Sequence, residues 1–151
     1  MSDLGLHRFE QRKATILAIM DDLGDATLID IGRDRRLRQI RVETRAPGHG
    51  LPTQARFVYV EWFQRVPRGW RLLRYQYDYL DPRHGGRFAY HWHSVRRRRD
   101  IHHAHCEERL GAPADEHYRS YEVDLLEAHE EFARVYAADQ PVDCSGLRPL
   151  S

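Results

Sequence analysis

The sequence predicts an α+β fold: an antiparallel β-sheet meander flanked by an N-terminal helix and a C-terminal amphipathic helix. Three observations lead there. Apolar residues recur at helical spacing near both ends of the chain. Between the ends run segments of aromatic and β-branched residues that alternate with polar ones. Short turns rich in glycine and proline separate those segments, which favours neighbouring strands paired antiparallel.

The elements follow in order. Residues 4–23 read as a helix, with Leu6, Phe9, Ile16, Leu17, Met20 and Leu23 as an apolar stripe and Gly24 at the C-cap position. Ala26 to Ile31 is a short β-prone run before Gly32, and Arg36 to Thr44 is a second candidate strand. Pro47 to Pro52 is a loop by composition. Arg56 to Phe63, Trp70 to Tyr79 and Arg87 to Val95 are stronger strands, separated by turns at Pro67-Arg68-Gly69 and at residues 81–86. Tyr75, Tyr77 and Tyr79 alternate with Arg74, Gln76 and Asp78, so the two sets face opposite ways. Residues 118–138 read as an amphipathic helix carrying Tyr118, Tyr121, Leu125, Leu126, Phe132 and Tyr136. The expected organisation is one α+β domain over 1–140, a sheet of about four to six strands, and a C-terminal tail over 141–151.

The 151 residues suffice for one core, and the 31% charged content fits a heavily charged surface. Net charge is +1, but the cations are arginine apart from Lys13. Arginine makes forked contacts to phosphate and stacks on rings; a GC-rich genome would produce the same bias. No apolar run reaches the ~20 residues of a membrane span, and the N-terminus lacks the order of a signal peptide. The expected setting is therefore cytoplasmic and away from the membrane, with reduced thiols. Cys106 reads as a buried, inert thiol and Cys144 as incidental.

Histidine is the informative residue. Seven of ten lie between His84 and His117, and five fall at 91, 93, 102, 103 and 105. On a strand, His91 and His93 project from one face about 6.5–7 Å apart, and His103 with His105 would do the same if that segment is extended. Arg96 to Arg99 lie between the pairs.

Three readings compete. In the first, His91, His93, His103 and His105 hold a divalent metal such as zinc, with Cys106 as an alternative donor, although the spacing matches no established zinc motif. In the second, no cofactor is needed. His103 and His105 act as base and acid on a phosphodiester, His91 and His93 assist, and Arg74, Arg87, Arg97 and Arg99 hold phosphate. Tyr75, Tyr77, Tyr90 and Trp92 then stack unpaired bases. In the third, these are half-buried strand histidines beside a solvated arginine loop. Asp78 and Glu61 could orient a histidine, or pair with arginines on neighbouring strands. His7, His49 and His129 read as surface or helix-flank residues.

The order of segments resembles a known family. A strand Arg74-Tyr75-Gln76-Tyr77-Asp78-Tyr79, a glycine turn, a strand opening Arg87-Phe88-Ala89-Tyr90, the segment His102-His103-Ala104-His105 and an acidic helix together resemble the small TumE-type toxins of bacterial toxin–antitoxin operons. The resemblance spans roughly residues 56 to 137, and its motifs are short. That family's second strand carries Arg-Tyr-Asp; here His91 follows Tyr90. The resemblance implies a cytoplasmic toxin that acts on RNA and is neutralised by an antitoxin protein.

The leading expectation is a toxin-like protein that binds and cleaves RNA. The alternatives are a non-catalytic metal- or nucleic-acid-binding module and a protein-interaction domain. The sequence sets no oligomeric state.

Overall fold

Strand-forming segments joined by short turns pair most readily with their chain neighbours, and among the described residues every strand does so. The computed structural model of the chain describes residues 8–21, 26–32, 35–45, 55–95, 98–109 and 117–150. Seven strands form one antiparallel sheet in sequence order: β1 (Ala26–Gly32), β2 (Leu37–Arg45), β3 (Arg56–Val66), β4 (Gly69–Asp81), β5 (Gly86–Val95), β6 (Arg98–Glu107) and β7 (His117–Arg119). Helix α1 (Phe9–Met20) precedes the sheet and α2 (Leu125–Ala137) follows it. The α+β class holds. The sheet exceeds the expected size because the second histidine cluster lies on a full strand and residues 117–119 add another. Among the described residues no helix is long and apolar enough to cross a membrane. The Pro47–Pro52 loop, His7 and His49 lie outside the described residues.

Alternation divides the sheet into two faces. One carries Phe57, Tyr59, Phe63, Tyr77 and Tyr79, all buried, and packs against the helices. A bulge keeps that face continuous along β4. Trp62 pairs with Arg74 but Phe63 pairs with Leu72, so Leu73 is an extra residue. Trp70 and Leu72 therefore join the same core as Tyr75, Tyr77 and Tyr79 despite the odd-numbered offset.

Helix α2 buries Leu125, Ala128, His129 and Phe132, the i, i+3, i+4, i+7 positions of one stripe. Phe132 stacks on Tyr79 with ring centroids 5.8 Å apart. The helix starts later than expected for a local reason. Asp124 accepts a hydrogen bond from the Glu127 backbone N–H, and the Glu127 carboxylate accepts one from Asp124 N–H. This capping box fixes the first turn. Tyr118 is consequently a strand residue and Tyr121 is exposed. His129, expected to be a surface or helix-flank residue, is 3% exposed and pairs with the Tyr59 hydroxyl at 2.8 Å.

Residues 141–150 are packed on the domain. Cys144 forms a disulfide with Cys106 of β6, so the expectation of two reduced, unrelated thiols is corrected. The two Cα atoms lie 5.8 Å apart, within bridging range. Burial of Val142 against Gly86 brings the segment to that position. A Cβ on Gly86 would sit 3.0 Å from the Val142 side chain, so this close approach suits glycine. Gly85, with φ +77°, makes the preceding turn. Further on, Arg119 N–H donates to Arg148 C=O and Leu150 N–H donates to His117 C=O, so the last residues flank β7.

One buried charge ties α1 to the sheet. Glu61, 1% exposed, accepts from Arg12 Nε at 2.9 Å and Nη2 at 2.5 Å, and from the Tyr77 hydroxyl at 2.7 Å. Tyr75 stacks on Tyr77 with centroids 4.5 Å apart. Its hydroxyl accepts from Val123 N–H and pairs with His102 Nδ1 at 2.8 Å. Removing Arg12 would leave the Glu61 carboxylate without its counter-charge. Arg12→Met is expected to cost about 3–5 kcal/mol of folding stability, and Tyr77→Phe about 1–3 kcal/mol. Denaturant titration measures both; an Arg12→Met protein as stable as the parent would show that Glu61 needs no partner.

Candidate metal centre

The face opposite the helices holds the histidines. Antiparallel pairing sets His91 opposite His103 and Ala89 opposite His105, while His105 lies opposite His117 and His103 opposite Arg119. The register thus gathers five imidazoles from three strands. His102 and Cys106 point to the helix face, as alternation requires. His91 and His103 are buried; His93 and His105 are partly exposed.

The rings are in contact. Centroids are 4.4 Å apart for His91 and His105, 4.7 Å for His93 and His103, and 4.5 Å for His105 and His117. His91 Nδ1 lies 3.3 Å from His93 Nε2, and His103 Nε2 lies 3.2 Å from His105 Nε2. One ligand nitrogen from each of these four residues falls within 4.8 Å of the other three. A tetrahedral zinc ion with Zn–N bonds of about 2.0–2.1 Å has ligand nitrogens about 3.3 Å apart. Two edges of such a tetrahedron are already formed.

Neighbouring acceptors set the ring protons. The Ile101 carbonyl can only accept, so His103 Nδ1 carries the proton that it receives at 3.1 Å. His91 Nε2 donates to Asp78 Oδ1 at 3.2 Å. Asp78 lies on β4 and is held by Arg87, whose Nη2 donates at 2.6 Å; Arg87 Nη1 also donates to Glu107 at 3.3 Å. Burial favours the protonated carboxyl of Asp78, but His91 and Arg87 outweigh it and hold its pKa below the usual carboxylate value. When His91 and His103 are neutral, His91 Nδ1 and His103 Nε2 are therefore bare lone pairs aimed into the cluster. Without a metal, Nε2–H groups of His93 and His105 can satisfy them. With one, those two rings would carry their protons on Nδ1.

Burial also disfavours charge. Desolvation, aided by neighbouring imidazoles, pulls His103 down to about 4 and His105 down to about 2, and desolvation lowers His91 as well. These rings are neutral at pH 7, the form that binds metal.

The expected base-stacking residues separate from the cluster. Tyr75, Tyr77 and Tyr90 are buried on the helix face, and Trp92 lies on that face stacked on His102 with centroids 5.0 Å apart. A base stacked on any of them would be across the sheet from His103 and His105. Arg87, expected to hold phosphate, is engaged by Asp78 and Glu107. Arg74 is exposed on the histidine face. Arg97 and the Arg99 side chain lie outside the described residues. The sequence reading missed His117 and Arg119 as site residues because it assigned 118–138 to a helix. Only a strand in that place puts His117 beside His105.

The lowered histidine pKa values predict an acid-labile metal-free protein. The unfolded chain takes up protons near 6.5, while His103 resists to about 4 and His105 to about 2. The unfolded state then binds more protons, so stability falls as pH drops below 6.5. Most carboxylates do not titrate between pH 6.5 and 5, which isolates the histidine contribution. Denaturation midpoints of chelator-treated protein should fall across that interval; a flat profile would show that the cluster is not desolvated.

Comparison with known proteins adds no relative: the chain matches no protein-family model, no curated protein and no solved structure at a significant level.

Proposed function

We propose that this protein binds a divalent transition metal of the zinc class through His91, His93, His103 and His105. One observation carries the reading: four imidazole nitrogens converge within 4.8 Å, with the protons of two rings set on the outward nitrogen by Asp78 and Ile101. A carboxylate or carbonyl behind a ligating histidine is the usual arrangement around a protein-bound metal. Imidazole suits zinc, copper, nickel and iron, and an all-nitrogen set disfavours calcium and magnesium.

The metal-free alternative fits the geometry less well. A base and acid pair needs one protonated and one neutral partner aimed at a substrate. His103 and His105 are both held neutral, and their Nε2 atoms face each other at 3.2 Å. Toxin-type action on RNA, carried by the resemblance and by residue types, is reconciled with this centre through the metal. Such an ion supplies Lewis acidity where its coordination leaves a position open. An antitoxin partner rests on the resemblance alone.

Elemental analysis of protein equilibrated with zinc and freed of excess tests the proposal. One bound equivalent is expected in the parent and almost none in His91→Ala or His103→Ala. Asp78→Asn should weaken affinity about 10–100-fold while leaving the donor set in place. Zinc at a hundred times its dissociation constant should add about 2.7 kcal/mol of stability. A folded parent protein that retains no metal and whose melting is indifferent to zinc, copper and nickel overturns the reading.

A further inference from the structure

The charge around the histidine cluster points to what it takes. Four imidazole ligands are neutral, so they cancel none of the charge of a divalent ion. Among the described residues, two carboxylates on the face of the cluster are already engaged: Arg87 pairs with both Asp78 and Glu107. Two positive charges from the ion therefore face one net negative charge from this trio.

Two arginines bracket the cluster on the same face. Arg119 of β7 lies directly opposite His103 in the register. It is exposed, and among the described residues no ion pair or side-chain hydrogen bond engages its guanidinium. The backbone hydrogen bond to Arg148 fixes where its side chain starts. Arg74 lies on the other side, one residue beyond Tyr75↔Trp92, the end of the β4–β5 pairing, and so beside His93. Three strand spacings and a two-residue offset along the strands put the two arginine backbones about 16 Å apart, with β5 and β6 between them. The Arg119 guanidinium reaching inward would meet a ligand held over the cluster. Its planar fork matches the oxygens of a phosphate group.

We propose that the metal-loaded centre binds a phosphate oxyanion, free or esterified, with Arg119 as a direct contact. This rests on the metal reading above and names the ligand class of that same site. Five-coordinate geometry accommodates an added oxygen ligand at a zinc-class ion. The sheet gives the ligand a rigid floor, since His91 and His103 are buried and held from behind.

The test titrates zinc-loaded protein with inorganic phosphate by calorimetry, with metal content measured on the same samples. Phosphate should bind the zinc-loaded parent and not the metal-free protein. Arg119→Met should weaken binding about tenfold or more, with one zinc retained, as expected for losing a charge-assisted hydrogen bond. Should Arg119→Met fail to fold, Arg119→Lys keeps the charge without the fork and should still weaken binding measurably. A dinucleoside monophosphate titrated in parallel separates a diester ligand from free phosphate, and arginine-dependent binding of either upholds the proposal. No phosphate or diester binding by zinc-loaded parent, or binding by zinc-loaded Arg119→Met (or, where that fails to fold, Arg119→Lys) as tight as the parent's, overturns it. Absence of zinc in the parent sample is a different failure, that of the metal reading, and the metal analysis reports it separately.

Discussion

The register between β5 and β6 is the constraint on which the rest depends. His91 opposite His103 and Tyr90 opposite Ala104 are consecutive pairs of one ladder. The first pair faces the imidazole cluster and the second faces the aromatic core. A slip of one residue would turn His91 and His93 into the core and Tyr90 and Trp92 out of it. The core therefore specifies the site. Phe132 of α2 stacks on Tyr90 and Tyr79, with centroids 6.0 and 5.8 Å apart. The Tyr90 hydroxyl adds a hydrogen bond to Glu131 at 2.5 Å. A histidine in that environment would bury a polar ring without these partners.

The same logic reaches the far side of the sheet. Glu61, Arg12 and Tyr77 form a buried group whose ionised carboxylate is fully engaged. Tyr75 stacks on Tyr77, pairs with His102 and accepts from the backbone of Val123. Through these contacts α1, β3, β4, β6 and the segment leading into α2 share one polar spine inside an apolar layer. Such groups add less net stability than apolar replacements of equal volume would. Their effect here is positional. They hold β4 and β6 on either side of β5, with Asp78 behind His91 and His103 opposite it.

Much of this was legible in the sequence, for definite reasons. Alternating aromatics marked β3, β4 and β5, because a half-buried strand writes a period of two into the chain. The same period placed His91 with His93 and His103 with His105, and Asp78 could be seen as an orienting carboxylate. Three things were not legible. The capping box at Asp124 competes with an apolar stripe that runs back to Tyr118, and stripe periodicity alone does not show where a helix begins. The Cys106–Cys144 disulfide joins residues 38 apart, and no local pattern encodes that pairing. The fate of Arg87 depends on Asp78 and Glu107 meeting it across two ladders, which only the register reveals.

The C-terminal segment carries the last step. β7 is only three residues long, too short to hold itself against β6 alone. Arg148 and Leu150 supply backbone hydrogen bonds to its other edge, and Tyr118 pairs with Pro149 as an isolated bridge. The disulfide anchors the start of that segment to β6, the strand that carries His103 and His105. β7 is thus clamped between two pieces of chain that are covalently joined. His117 and Arg119 project from this clamped strand, one beside His105 and the other opposite His103. Tail, disulfide and short strand together place one imidazole and one guanidinium at the rim of a cluster whose other members come from β5 and β6. The final residues of the chain therefore help build the rim of the candidate site.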